Sequence, residues 1–174
     1  MKVSRESKFN PVLTPRQVIG AGAFGGSYFG QDVHKSNGYD YNELFDYYFK
    51  TLEKDLYLSK RYIPRINKFK TRSGMSYKYW YSKGWIHERD PYGWFEWWCK
   101  YNMGFRHPTE DSRQIERWNK FCGKRGRWRN TIYKSIHQTG NWKSSPRIQQ
   151  SLLHWGYEVN EQDYRQWKID NNFY

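Results

Sequence analysis

The chain has 174 residues, of which 30 are Lys or Arg and 17 are Asp or Glu, so its formal net charge is +13. Aromatic residues make up 21% of the sequence, which excludes an ordinary disordered chain, because such chains lack the bulky groups that drive collapse. There is no apolar run of ~20 residues to span a membrane, and residues 1–6 lack the apolar segment of a signal peptide. We therefore expect an intracellular protein, cytoplasmic or nuclear, with a polyanionic partner and no membrane partner.

Two parts are expected along the chain. Residues 1–39 are predicted to form an irregular Gly-rich N-terminal arm, because Gly20, Gly22, Gly25 and Gly26 disfavour a regular element. These four glycines indicate a flexible or close-packed loop rather than a phosphate-binding loop. Residues 40–174 are predicted to form a single helical domain.

The helical domain is predicted from apolar spacing and cap residues. Asp40 is expected to cap a helix that continues to residue 56, and residues 61–74 form a connector or a short strand pair. A short helix is expected from residue 76 to 83. The next helix is expected to begin at Asp90-Pro91 and continue to residue 102 with aromatic side chains around most of its circumference, which is typical of a central buried helix.

Four further helices complete the predicted fold. They begin at Pro108 with Thr109 as the cap, at about Arg127, at Ser145-Pro146 and after Asn160. The predicted fold class is mainly α, a compact bundle of five to seven short helices behind the N-terminal arm.

Positive charge is concentrated in the second half of the chain. Residues 105–148 contain eleven Lys or Arg against three acids. Arginine forms bidentate contacts with phosphates and tryptophan stacks on unpaired bases, so this composition favours nucleic-acid binding. The alternative is a solvated basic face around Trp128, which continues an apolar stripe and is expected in the core. The candidate nucleic-acid-binding residues are Arg113, Arg117, Lys120, Lys124, Arg125, Arg127, Arg129, Trp142 and Lys143.

A second group of candidates precedes the central helix. His87, Glu88, Asp90 and Tyr92 could form an acid–base site in which a carboxylate activates water. The alternative is that Asp90 caps the helix while its neighbours form surface ion pairs. Asp90-Pro91-Tyr92 is similar to a motif of uracil-DNA glycosylases, whose Asp positions the attacking water. Here Gly93 replaces the His that follows in that motif, and the preceding segment is polar, so we do not assign the chain to that family.

No cofactor and no metal are expected. The five histidines and the two cysteines, Cys99 and Cys122, do not have metal-ligand spacing, and two cysteines do not make a disulfide framework.

Several Trp-rich segments resemble an uncharacterised family of small basic proteins from phages, large viruses, algae and fungi. The segments are residues 24–29, 84–86, 90–100, 113–118, 126–129 and 145–155, and they include DPYGWFEWWCK, RQIERW, GRWR and LLHW. The resemblance implies that residues 24–157 form one unit and that the ends vary more. It implies no activity, cofactor or catalytic residue.

The sequence therefore predicts a nucleic-acid-binding protein, with DNA favoured over RNA. If the protein is an enzyme, we expect a hydrolase that acts on DNA, as in DNA repair. A base-excising glycosylase then fits the sequence better than a nuclease. The first alternative is a structural or packaging subunit without turnover. Further alternatives are a metal-dependent nuclease and an enzyme on a small acidic substrate. The sequence leaves the oligomeric state open.

Overall fold

The computed structural model describes residues 9–33 and 38–173, so the residues considered for a signal peptide lie outside it. The mainly α fold class is confirmed: the described residues form eight α-helices and no strand, and six of the helices have eight or more residues. The helices are α1 (Pro15–Gly20), α2 (Tyr41–Tyr48), α3 (Tyr77–Ser82), α4 (Trp94–Asn102), α5 (Pro108–Cys122), α6 (Arg127–Thr139), α7 (Pro146–His154) and α8 (Glu161–Asp170). Short 3-10 helices cover Ala23–Gly26, Lys54–Leu56 and Pro64–Ile66.

Some helix boundaries follow the predicted caps and others do not. The Asp40 side chain accepts a hydrogen bond from Asn42 N at 2.9 Å, so this predicted cap is confirmed. Asn160 accepts one from Asp163 N at 2.9 Å and caps the helix that is expected to follow it. The predicted caps Asp90 and Thr109 are wrong. Helix α4 begins three residues after Pro91, and α5 is capped by a histidine at position 107, whose Nδ1 accepts from the amide of residue 110.

The start of α4 is fixed by a residue distant in sequence. Gly93 is the N-cap and has no side chain to offer, and its φ of 103° requires glycine. The Tyr28 hydroxyl instead accepts from Phe95 N at 3.1 Å and from Glu96 N at 3.2 Å. Glu96 Oε2 accepts from Tyr92 N at 2.8 Å. The Tyr28 hydroxyl thus satisfies two backbone donors of the first turn that would otherwise be unpaired, and Glu96 satisfies the amide of a residue just before the cap.

The Gly-rich segment packs closely against the rest of the chain. An added β-carbon on Gly26 or Gly30 would collide with the carbonyl oxygen of Asp55 or Ser59. Phe29 N donates to the carbonyl of Tyr57 at 2.9 Å. The buried side chains at positions 18, 19, 24, 28 and 29 belong to the same hydrophobic cluster as those of the later helices. Residues 15–30 are therefore part of the common core.

Helix α4 lies at the centre of an aromatic core. Trp98 is 1% exposed and packs on Trp94, with ring centroids 5.3 Å apart. Helices α5, α6 and α7 pack against one another in chain order. Trp118 on α5 donates its indole N–H to the carbonyl of Trp155 at 2.8 Å, which joins α5 to the end of α7. No helix within residues 9–33 and 38–173 combines the length and apolar character needed to cross a membrane.

Candidate functional site

A pocket of about 430 Å³ opens where α5, α6 and α7 meet the start of α4. Its sides are mostly aromatic, and three arginines from three different helices lie around it. We call it the arginine pocket. Its lining includes Phe24, Ser73, Gly74, Trp80, Trp85, Trp94, Arg117, Phe121, Arg127, Trp128, Arg147, Ser151, His154 and Trp155.

Arg117 on α5 lies between two indole rings of the pocket. Its guanidinium carbon is 5.4 Å from the ring centroid of Trp85 and 5.5 Å from that of Trp155. Both distances are within the range of a cation–π contact. The two indole rings therefore stabilise the cation.

The polar partners of Arg117 do not neutralise its charge. Nη1 donates to Gln114 Oε1 at 2.9 Å, and Gln114 in turn donates to Glu110 Oε1 at 2.8 Å. Glu110 already forms an ion pair with Arg113 at 2.6 Å. Arg117 has no ion pair of its own within the described residues. Burial and the neighbouring Arg113 cation together lower the pKa of Arg117 to about 10, against the opposing attraction of Glu110, so the guanidinium remains charged near neutral pH.

Arg127 and Arg147 occupy the first turns of α6 and α7. The Arg127 guanidinium lies 4.7 Å from the Trp128 ring centroid and 5.4 Å from that of Phe121. Neither arginine forms an ion pair among residues 9–33 and 38–173. Both side chains are exposed. The first turn of a helix carries partial positive charge, so both positions add to the attraction for an anion.

One end of the pocket is polar. The hydroxyls of Ser73 and Ser151 are hydrogen bonded to each other, and Ser73 Oγ also donates to the carbonyl of Arg147 at 3.0 Å. The His154 ring stacks on Phe24 with ring centroids 4.4 Å apart and an interplanar angle of 19°. Burial lowers the pKa of His154 to about 4, so its imidazole is neutral at pH 7.

The structure divides the predicted basic residues into two groups. Arg117 and Arg127 lie in the arginine pocket. Four others are paired with carboxylates: Arg113 with Glu110, Lys120 with Glu116 at 2.9 Å, Lys124 with Asp170 at 3.1 Å, and Arg129 with Asp163 at 3.0 Å. Lys124 and Arg129 pair with acids of α8, so these two cations lie against that helix and do not line the pocket.

The other predicted binding residues lie outside the pocket. Arg125 is exposed and forms no ion pair in the part of the chain that the structure describes. Trp142 is 39% exposed and packs edge-on against Tyr164, with ring centroids 5.3 Å apart. Lys143 is exposed in the same loop, and its backbone N–H donates to the side chain of Asn141.

The four candidate acid–base residues do not line the pocket and do not converge. Glu88 is exposed, while the Tyr92 side chain is 1% exposed. His87 accepts from the backbone N–H of Arg89 at 3.2 Å through Nδ1. Asp90 is 4% exposed and lies beside Lys100.

Asp90 belongs to a buried charge cluster formed with Glu96 and Lys100, which we call the lysine cluster. The Lys100 ammonium lies 3.2 Å from Asp90 Oδ1, 2.7 Å from Glu96 Oε1 and 2.5 Å from the carbonyl of Arg89. Three acceptors match the three donors of an ammonium group. Glu96 also accepts from the Tyr41 hydroxyl at 2.7 Å. Burial raises the pKa of Glu96 to about 7 against the opposing charge of Lys100.

The remaining chemistry-bearing side chains do not form a second site. No group of three or more His, Cys, Asp or Glu within the described ranges could hold a metal ion. His34, one of the five histidines considered from the sequence, lies outside those ranges. Cys99 and Cys122 are buried and not disulfide-bonded, and burial raises the pKa of both thiols. Raised thiol pKa values are typical of packing cysteines rather than nucleophiles.

Sequence reasoning missed Arg147, His154 and most of the aromatic lining. Arg147 was detectable only as one basic residue after a helix-starting proline, and His154 lies in an apolar segment that indicates a packed histidine. Trp80, Trp85 and Trp155 come from separate elements, and only the packing of those elements brings them to one opening.

The comparisons with known proteins give no relative: no family model, no curated protein and no solved structure matches this chain.

Proposed function

We propose that the protein binds nucleic acid through the arginine pocket, with backbone phosphates on Arg117, Arg127 and Arg147. The observation that carries the proposal is that these three cations lie around an aromatic opening and have no carboxylate partner within the described residues. Unneutralised arginines beside apolar rings fit a ligand that carries both anionic groups and flat rings. DNA is the nucleic acid that the sequence favours.

The half-buried Arg117 is the strongest part of this argument. A charge removed from water costs free energy unless a partner compensates it, and its neighbours supply only one amide oxygen and two ring faces. A phosphate at the opening would provide the missing counterion. The proposal is for binding without turnover, because Asp90, Glu88, His87 and Tyr92 are not among the lining residues.

The test compares two triple variants that have the same net charge. R117Q/R127Q/R147Q removes the three pocket cations. K120Q/K124Q/R165Q removes three exposed cations that are each paired with a carboxylate. Fluorescence anisotropy with labelled single-stranded DNA and RNA is measured from about 50 mM to about 200 mM salt.

We expect the pocket variant to lose most of its affinity and the slope of log affinity against log salt to fall by about 2 units, the value for three phosphate contacts on a single strand. The control variant should keep most of its affinity and most of its salt slope. Equal losses in the two variants would mean that only net charge matters. Absence of salt-dependent binding by the unmodified protein would reject the proposal. A parallel titration with a duplex of the same sequence shows whether the protein prefers single-stranded or double-stranded nucleic acid.

A further inference from the structure

We propose that the arginine pocket holds one unstacked base of a single strand between its aromatic side chains, with the polar edge of the base at His154. This inference rests on the proposed function and goes further, because phosphate binding alone needs only the arginines. It assigns separate roles to the sides of the pocket and to its polar end.

The size of the pocket limits its occupant to about one nucleotide. A volume of about 430 Å³ lies near the lower end of the range of roughly 300–1,000 Å³ that is usual for small-ligand sites. A continuous run of stacked bases does not fit such a space. A single base turned out of its stack fits, and the phosphates on either side of it would then remain at the opening.

The sides of the pocket provide the ring faces that such a base needs. Trp155 packs on Trp94 with ring centroids 4.5 Å apart and on Phe121 with centroids 5.1 Å apart, so these neighbours fix its orientation. Trp128 lines the pocket and packs with Arg127. Base–aromatic stacking stabilises a bound base and does not depend strongly on which base is bound.

The polar end provides hydrogen bonds that an apolar ligand would not use. Gln150 Nε2 and His154 Nε2 are 3.1 Å apart, so one ring nitrogen is occupied, while His154 Nδ1 forms no hydrogen bond within the described residues. Nδ1 faces Gly74, whose added β-carbon would lie 3.7 Å away. A ring nitrogen without a partner beside a cavity is typical of a site that a polar ligand completes.

A neutral histidine suits the edge of a base better than a charged one. Because burial keeps the imidazole of His154 uncharged at pH 7, Nδ1 can form a hydrogen bond without adding a charge at the inner end of the pocket. The positive charge lies on the three arginines instead. The chemistry of the site therefore matches the two halves of a nucleotide.

The test uses a strand of about ten nucleotides that is abasic at every position except one, together with a fully abasic strand that has the same number of phosphates. A single base prevents the strand from shifting to another register. We expect the protein to bind the strand with one base about tenfold more tightly, which corresponds to ~1.4 kcal/mol. The variant W128A should abolish this difference. The control W142A, at an exposed tryptophan outside the pocket, should preserve it.

The outcomes separate this inference from the proposed function. Salt-dependent binding of both strands with equal affinity would overturn the base site and leave phosphate binding intact. Failure of both strands to bind would overturn both proposals. Loss of the difference in W142A but not in W128A would place the base at the exposed loop and overturn the assignment to the pocket.

A second measurement does not depend on the folding of W128A. Four strands that differ only in their single base should bind with unequal affinities, and H154F, which keeps the ring stacked on Phe24, should make the four affinities nearly equal. Equal binding of the four bases by the unmodified protein would overturn the role of His154. Inorganic phosphate and a nucleoside monophosphate are also compared as competitors. If phosphate competes as effectively as the nucleotide, the pocket is a simple anion site and the inference is overturned.

Discussion

The arginine pocket and the lysine cluster both place cations in largely apolar surroundings, but their partners differ. Lys100 has an acceptor for each of its three N–H groups and two carboxylates within 3.2 Å. Arg117 has one amide oxygen and two indole faces, and no ion pair within the described residues. A buried charge whose partners all lie within the fold is a structural element whose removal leaves those partners uncompensated, whereas one without a counterion indicates a place for a ligand.

The largest expected effect is on the lysine cluster. K100M removes the cation and leaves Asp90 and Glu96 as buried carboxylates, so we expect a loss of about 3–5 kcal/mol of unfolding free energy. Urea denaturation followed by circular dichroism measures the change. K120M, at an exposed ion pair, is the control, with an expected loss below about 1 kcal/mol. Equal effects in the two variants would contradict the structural role of the cluster.

The second effect is a pH dependence of the same cluster. The pKa of Glu96 is about 7 in the folded protein and 4.5 for an ordinary glutamate. Between these two pH values, the Glu96 carboxyl therefore takes up a proton when the chain folds. The contribution of Glu96 to stability is complete below about pH 4.5 and is lost as the pH rises through about 7, by about 3 kcal/mol.

Comparison with E96Q isolates this contribution. His154, whose folded pKa is lowered to about 4, acts in the opposite direction, because its contribution is lost as the pH falls towards 4. The difference in unfolding free energy between the unmodified protein and E96Q should therefore change between pH 4.5 and 7.5. A constant difference over that range would contradict the raised pKa of Glu96.

The third effect concerns the arginine pocket, where we expect a substitution to lower ligand affinity and to reduce stability less than in the lysine cluster. R117M removes a desolvated charge without leaving an unpaired carboxylate, but it takes the donor from the buried Oε1 of Gln114, so we expect a loss of about 1–3 kcal/mol of unfolding free energy, less than for K100M. Affinity for single-stranded nucleic acid should fall about tenfold or more, because a charge-assisted phosphate contact contributes ~1.5–3 kcal/mol. A large loss of stability with unchanged affinity would remove the contrast between the two regions.

The smallest effect tests the start of α4, which connects the two regions in sequence. Y28F removes the hydroxyl that accepts from Phe95 N and Glu96 N, and a lost N-terminal cap costs ~1 kcal/mol. The control Y47F changes a tyrosine that is 65% exposed and should leave stability unchanged. Equal melting temperatures for the two variants would contradict the capping role of Tyr28.

Much of the helical fold could be predicted from the sequence because it depends on local signals. Asp40 and Asn160 act as caps where their residue types indicate, and the helices after Gly126 and Ser145 begin at the predicted places. Asp90 fails as a cap because its carboxylate pairs with Lys100, ten residues further on. Local preference is overridden there by a buried ion pair that the sequence spacing alone does not reveal.

The candidate site was only partly predictable for the same reason. The density of arginines in residues 105–148 is visible in the sequence, but the acids of α8 that pair with Lys124 and Arg129 lie more than thirty residues away from them along the chain. The arginines that lack such partners become recognisable only when α8 is seen to pack on α6. The pocket itself depends on five tryptophans from five separate segments.

The bond from Tyr28 to α4 has a practical consequence for choosing fragments of this protein. A fragment beginning at residue 40 would contain every long helix yet lack the phenol that closes the amino end of the central one. It would also lack Phe24, the ring on which His154 rests. Deletion of the glycine-containing stretch would therefore damage the inner end of the cavity from a distance of more than a hundred residues in sequence, so recombinant versions should retain it.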